Sequence, residues 1–322
     1  AHTRRERERE NMFSTLRLDT LPDEVLFARV PDMQAAAVPL LHMLYDSRTP
    51  AFSITCTEGE VSLVLTEQQA KNFPPQCLQM SSDRYRILRV VEGEELLGSS
   101  GLIAYICKPL VKKNIPIFYT SLYDSDYLIV ETDLFLQSKE AIEELLAQET
   151  VASPQHTEPP PEEHRVLLDP LPRRVVTSSL SRQDFATHLA EFIRMLILED
   201  PAQEGHFLSL TWGEERVSLI VEEEQFQRIQ DANPSLFSTL TVYRETWVPV
   251  EVLNSASGSY DKHSVNGLSG PLGLQGVSIY YASTFAKDFV LMEAQDVARG
   301  LEVLSEKYAH LNGPIQLPSS PQ

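Results

Sequence analysis

Residues 279–293 read IYYASTFAKDFVLME, and residues 117–131 read IFYTSLYDSDYLIVE. At a spacing of 162, the two fifteen-residue stretches share five identical positions: Ile117/Ile279, Tyr119/Tyr281, Ser121/Ser283, Asp126/Asp288 and Glu131/Glu293. Unrelated sequences of ordinary composition would share roughly one. Phe118/Tyr280, Tyr123/Phe285 and Tyr127/Phe289 exchange one aromatic for another. Without a gap, the same spacing aligns Pro109-Leu110 with Pro271-Leu272, Tyr85 with Trp247 and Val90 with Val252. The pattern is that of a duplicated module.

Each copy carries two strand-type runs around a polar knuckle, which in the second copy spans 283–288. Strands on both sides can hold such a knuckle rigidly, so that hydroxyls, a backbone turn and one carboxylate converge on a ligand. The plainer reading is that Asp288 opens a strand and Phe285 belongs to a core. The residues alone leave both open.

Outward from these stretches the two halves repeat one order. In the first, 25–30 reads as a strand and 32–45 as a helix with Ala36, Leu40, Leu41 and Leu44 on its apolar face. A hairpin over 52–65 turns at Glu58-Gly59-Glu60, a short helix covers 67–73, and a strand covers 86–91. A helix over 102–112, the first knuckle and a closing helix over 139–148 complete the half. The second half has a strand at 175–178, a helix capped by Ser181, a hairpin over 207–221, a strand at 248–252, then helix, knuckle and helix again. VSLIVEEEQF at 217–226 echoes VSLVLTEQQA at 61–70. Between the halves, TVASPQHTEPPPEEHR reads as a solvated linker. The expected fold class is α+β: four small ferredoxin-like βαββαβ sandwiches in two tandem halves, each completed by a final strand.

The chain has 322 residues, a net charge of −19 and three cysteines, Cys56, Cys77 and Cys107, with no CxxC pair. The acidic balance disfavours nucleic acid and anionic lipid and favours small cations such as arginine or lysine. Cysteine usage suits a reducing compartment, and no apolar run is long enough to span a bilayer, so a cytoplasmic protein is expected. There is no GxxxxGK, HExxH or GxSxG motif, and the histidines stand apart from any metal-spaced partner. The sequence therefore points away from an enzyme, a cofactor and a metal. Gly267, Gly270, Gly273 and Gly276 do not fit a dinucleotide fingerprint and read as helix packing or turn geometry.

GSYDKHSVNGLSGPL followed by IYYASTFAKDFVLME, together with SLYDSDYLIV in the first half, resembles the CASTOR family. These are cytosolic arginine sensors built from four ACT domains that regulate the TOR kinase through the GATOR complex. The resemblance implies ACT-like units at 15–80, 81–149, 171–240 and 241–312, with an arm at 1–14, a linker at 150–170 and a tail at 313–322. It implies a homodimer, and one amino acid held between the second and fourth units. The family's ligand-binding positions fall here on Pro116, Ile117, Gly258, Asp261, Lys262, His263, Ser264, Thr284, Phe285 and Asp288. By that resemblance Asp288 grips a guanidinium bidentately, Asp261 meets the α-ammonium, and backbone near Gly258 binds the α-carboxylate. The family's partner-binding patch falls on Tyr123, Asp124, Ser125 and Asp126.

The chain departs from the family pattern at three places. Pro116-Ile117 replaces a Ser-Val pair and so loses a hydroxyl and an amide donor. Lys262-His263 replaces Cys-Gly, and Asp124 puts a charge where the family has Gln. Two functions are thus carried forward: an amino-acid sensor, arginine favoured, acting on a GATOR-type complex, and a ligand-independent scaffold whose amino-acid site has decayed.

Overall fold

The computed structural model describes residues 16–45, 53–91, 100–148, 166–198, 206–254, 264–305 and 309–310. The expected arm, most of the expected linker, the tail, and Gly258, Asp261, Lys262 and His263 lie outside these residues.

The first half supplies β1 (Arg17–Arg29), α1 (Met33–Tyr45), β2 (Ser53–Thr57), β3 (Glu60–Thr66), α2 (Glu67–Ala70), β4 (Gln79–Met80), β5 (Tyr85–Val91), α3 (Ser100–Lys112), β6 (Ile117–Ser121), β7 (Ser125–Glu131) and α4 (Phe135–Gln148). The second supplies β8 (Val166–Pro170), β9 (Val175–Ser181), α5 (Arg182–Thr187), α6 (Leu189–Ile193), β10 (Phe207–Trp212), β11 (Arg216–Glu222), α7 (Glu223–Ala232), α8 (Pro234–Phe237), β12 (Thr241–Asn254), α9 (Ser264–Leu274), β13 (Ile279–Ser283), β14 (Asp288–Glu293), α10 (Val297–Ser305) and β15 (Ala309–His310). Local chemistry sets several boundaries. Thr66 and Gln69 form a reciprocal capping box that starts α2 directly off β3. Ser181 accepts the Asp184 amide at the head of α5, as expected. Gly59, at φ 71°, makes the two-residue turn between β2 and β3.

The duplication is visible in the sheet. The first half orders its strands β6-β7-β5-β1-β3-β2 and the second β13-β14-β12-β9-β11-β10, with corresponding strands in corresponding places. Every neighbouring pair within these halves is antiparallel. Each edge strand then pairs with its own counterpart, β2 with β10 and β6 with β13. This corrects the expectation of four separate sandwiches. Twelve strands form one closed, barrel-like ring, because edges that would otherwise expose unpaired amides satisfy one another.

A second correction concerns the end of the expected linker at 150–170. Residues 166–170 form β8, which lies antiparallel to β12 of the same half and buries Leu168. The matching place beside β5 is held by the start of β1, residues 17–20, which bulges between Thr20 and Glu24 around Pro22 before pairing again.

Side chains alternate between the two faces of the ring. The helix-covered face holds two cores: one gathers α3, α4, α9 and α10 over strands that include β6, β7, β13 and β14, and the other gathers α1, α5 and α6 over β2, β3, β10 and β11. The opposite face packs on itself through Phe27, Tyr85 and Phe118 on one side and Phe207, Trp247, Tyr280 and Phe289 on the other. Where β2 meets β10 this face is polar. Ser53 and Thr211 hydroxyls lie 3.0 Å apart, and those of Thr55 and Ser209 2.9 Å apart.

Candidate functional site

The seam between β6 and β13 differs from that between β2 and β10. The latter is a ladder of five residue pairs, whereas β6 and β13 share one, Thr120 with Ala282. Two serines flank that pair. The Tyr119 amide donates to Ser283 Oγ and the Tyr281 amide to Ser121 Oγ, each at 3.1 Å. The identical serines and tyrosines of the repeat are therefore the pseudo-symmetric fastening of the seam, and the two tyrosine rings meet edge-on at 6.3 Å.

Asp288 opens β14, opposite Ser283 on β13 and Val252 on β12. Strand alternation puts it on the face of Val290 and Met292, under the helices, and it is half-buried. Ile117 and Tyr119 of β6 share that face, with one strand, or about 10 Å, between β6 and β14. Pro116 and Ile117 are buried at the entry to β6, and Ser264 is the first residue of α9. The structure thus brings Asp288, Ser283 and the start of β6 to one face beneath α3 and α9.

Thr284 and Phe285 turn the other way. The knuckle leans on β3 of the first half, on the face turned away from the helices. The Phe285 amide donates to Ser62 Oγ at 2.8 Å and the Ala286 amide to Glu60 Oε1 at 3.0 Å. Thr284 closes the turn by donating its amide to Lys287 O and accepting the Lys287 amide on Oγ1 at 3.0 Å. The Phe285 ring packs against the cluster of Val64, Phe118 and Tyr127. Lys287 forms an ion pair with Glu251 at 3.1 Å. Glu60 is only 3% exposed. Burial pushes its carboxyl above the ordinary range, and the Ala286 amide and the nearby Lys287 cation offset only part of that rise.

The first knuckle makes the mirror contact by other chemistry. Beside it, the Tyr127 hydroxyl of β7 donates to Trp212 O at the end of β10 at 3.1 Å, and Tyr123 packs on Tyr243 of β12 with centroids 4.8 Å apart. Arg89 joins the seam through Glu214 at 2.6 Å and Asp19 at 2.7 Å. Of the four expected partner-binding residues, Asp124 is exposed and Tyr123 half-buried, while Ser125 and Asp126 are buried.

Sequence reasoning missed Glu60 and Ser62. The VSL echo marked Ser62 as the counterpart of Ser218, but nothing in it says that the knuckle of one half rests on the hairpin of the other. Among the described residues no group of His, Cys, Asp or Glu is placed to hold a metal ion, and no helix is long and apolar enough to cross a membrane. Burial pushes the thiols of Cys56 and Cys107 well above their ordinary range, so neither is a thiolate at neutral pH.

Residues 80–144, from just before β5 into α4, match the family model of the ACT domain. The chain is 22% identical over 318 residues to the "Cytosolic arginine sensor for mTORC1 subunit 1" of Homo sapiens, covering 88% of this chain and 95% of that protein. It is 23% identical to the protein of the same name from Bos taurus, with the same shares covered. Among solved structures, aspartate kinase from Synechocystis aligns at 12% identity with a TM-score of 0.33, over 93% of this chain and 57% of that one.

Proposed function

We propose that the chain is a non-enzymatic, cytoplasmic amino-acid sensor of the TOR pathway. Four ACT-like units share the closed ring, and one amino acid, arginine foremost, binds on the helix-covered face where the second and fourth units meet. The observation that carries this reading is Asp288, a half-buried carboxylate at the head of β14, beside a seam fastened by two serines instead of a full ladder. A carboxylate in that setting suits a guanidinium, which it can take bidentately. The charge of −19 attracts such a cation, and the relatives named as arginine sensors cover nearly the whole chain.

Occupancy alters what a partner meets only as far as the ligand prefers one arrangement of the seam over another. The partner would be a GATOR-type complex, and the sensor itself a homodimer. Calorimetric titration of the full chain with arginine tests the reading. Asp288→Ala is expected to weaken binding by at least about thirtyfold, roughly 2 kcal/mol, while moving the melting temperature little. If neither arginine nor any other amino acid gives heat with the unaltered chain, the sensor reading fails.

The self-satisfied knuckle favours a second reading, the ligand-independent scaffold, since its four amides are bonded without any ligand. Partner capture repeated with and without free amino acids separates the two, because the scaffold shows no difference.

A further inference from the structure

Asp288 follows directly on a turn whose backbone is held from the other half of the molecule. Two of the turn's four amides are internal to it, and the other two reach Ser62 and Glu60, alternate residues on one face of β3. Glu60 is the more telling partner. Its Oε1 accepts the Ala286 amide, and its Oε2 lies 3.4 Å from the Thr284 hydroxyl, so one side chain spans both ends of the turn's apex. The counterpart of Glu60 under the VSL echo is Arg216, which has no acceptor and instead binds Ser179 and Thr241 on its own half. Among the described residues, only the second knuckle is gripped through its backbone in this way.

We infer that Glu60 is a positioning residue for the site at Asp288: by fixing the turn across the ring, it sets where that carboxylate stands. The inference rests on the sensor reading for what binds at Asp288. The coupling runs both ways. β3 pairs with β2, and β2 with β10, so a ligand that shifts Asp288 pulls through Glu60 on the hairpin that forms the other seam. Glu60→Gln keeps an acceptor for the Ala286 amide and an amide group facing Thr284, whereas Glu60→Ala removes both.

The test uses the full chain, unaltered and as Glu60→Gln, Glu60→Ala and Ser62→Ala, with two readouts: hydrogen exchange of the 285–287 amides without ligand, and calorimetric titration with arginine. Glu60→Ala is expected to speed Ala286 exchange at least tenfold and to weaken arginine at least tenfold. Glu60→Gln should stay within about threefold of the unaltered chain in both, and Ser62→Ala should speed Phe285 selectively. Unchanged Ala286 exchange in Glu60→Ala overturns the clamp, and faster exchange with unchanged arginine affinity overturns the positioning role. If the unaltered chain binds no arginine, the sensor reading falls and the role with it, while exchange still decides the clamp. If Glu60→Ala does not fold, Ser62→Ala decides in its place, and unchanged Phe285 exchange and arginine affinity there overturn the inference.

Discussion

Replacing Ser121 and Ser283 together by alanine should loosen the β6–β13 seam and leave the rest of the ring intact. Each serine oxygen accepts a buried backbone amide from the opposite strand, and that seam has a single ladder pair to fall back on. A buried donor left without an acceptor costs about 1–3 kcal/mol. The two sites flank one pair and share it, so their effects will not add fully, and the double variant should lose about 2–5 kcal/mol of unfolding free energy. The Thr55→Ala/Ser209→Ala variant supplies the contrast. There both partners of a side-chain bond vanish together beside an intact five-pair ladder, so the loss should stay near 0.5–1.5 kcal/mol.

Urea unfolding measures both losses, and a slope in urea unchanged from the parent shows that the exposed area is the same. Hydrogen exchange should quicken at Tyr119 and Tyr281 in the first variant and nowhere along β2 or β10. If the two double variants lose equal stability, or if the tyrosine amides exchange as before, the seam is not fastened by its serines and the reasoning is wrong.

Glu60 gives a pH signature. Its folded pKa lies above the unfolded value, so the stability it contributes is full below the ordinary carboxyl range and is lost as pH rises through the raised value. Glu60→Gln should therefore melt higher than the parent near neutral pH, with the gap closing on acidification; a gap that widens in acid would contradict the assignment. Glu222 should behave in the opposite sense. Burial raises its carboxyl, but the His206 ring, the Phe207 amide and Arg173 outweigh that and hold it below the usual range. Glu222→Gln should cost about 1–3 kcal/mol at neutral pH and progressively less as pH falls through the depressed value, as read from urea midpoints across pH. Gly300 on α10 has no room for a side chain, since a Cβ would stand 2.6 Å from Met292 Sδ. Gly300→Ala gains about 1 kcal/mol of helix propensity against about 1–3 kcal/mol of overpacking, so a net loss is expected, and a variant that melts higher than the parent would show that Met292 yields freely.

The repeat made much of this fold legible before any coordinates. Spacing and alternation placed the strands around both knuckles, and the five identities mark positions that the pseudo-symmetry uses twice. Ser121 and Ser283 fasten one seam, Tyr119 and Tyr281 meet across it, Ile117 and Ile279 fill one core, and Asp126 and Asp288 occupy matching places on β7 and β14. Hidden from the sequence was the closure of the ring. A strand edge carries the same residues whether it faces water or a counterpart, and the polar stripe of Ser53, Thr55, Ser209 and Thr211 would have served equally as a solvated face. β8 lies within the expected linker for a related reason, since a five-residue strand paired with the distant β12 has no local periodicity to announce it.

The site was half legible on the same physical grounds. Asp288 could be singled out because it recurs, but Glu60 differs from its counterpart Arg216, and a search for likeness passes over the positions where the halves have diverged. That divergence has a direction. Where the first half contributes Glu60 the second has Arg216, and where the first has Arg89 the second has Glu251, which holds Lys287. With the signs exchanged, one knuckle rests on a carboxylate and the other beneath a guanidinium whose centre lies 5.9 Å from the Tyr123 ring. The two halves also differ in how they seat the repeated aspartate: Asp288 is half-buried, whereas its twin, Asp126, is sealed.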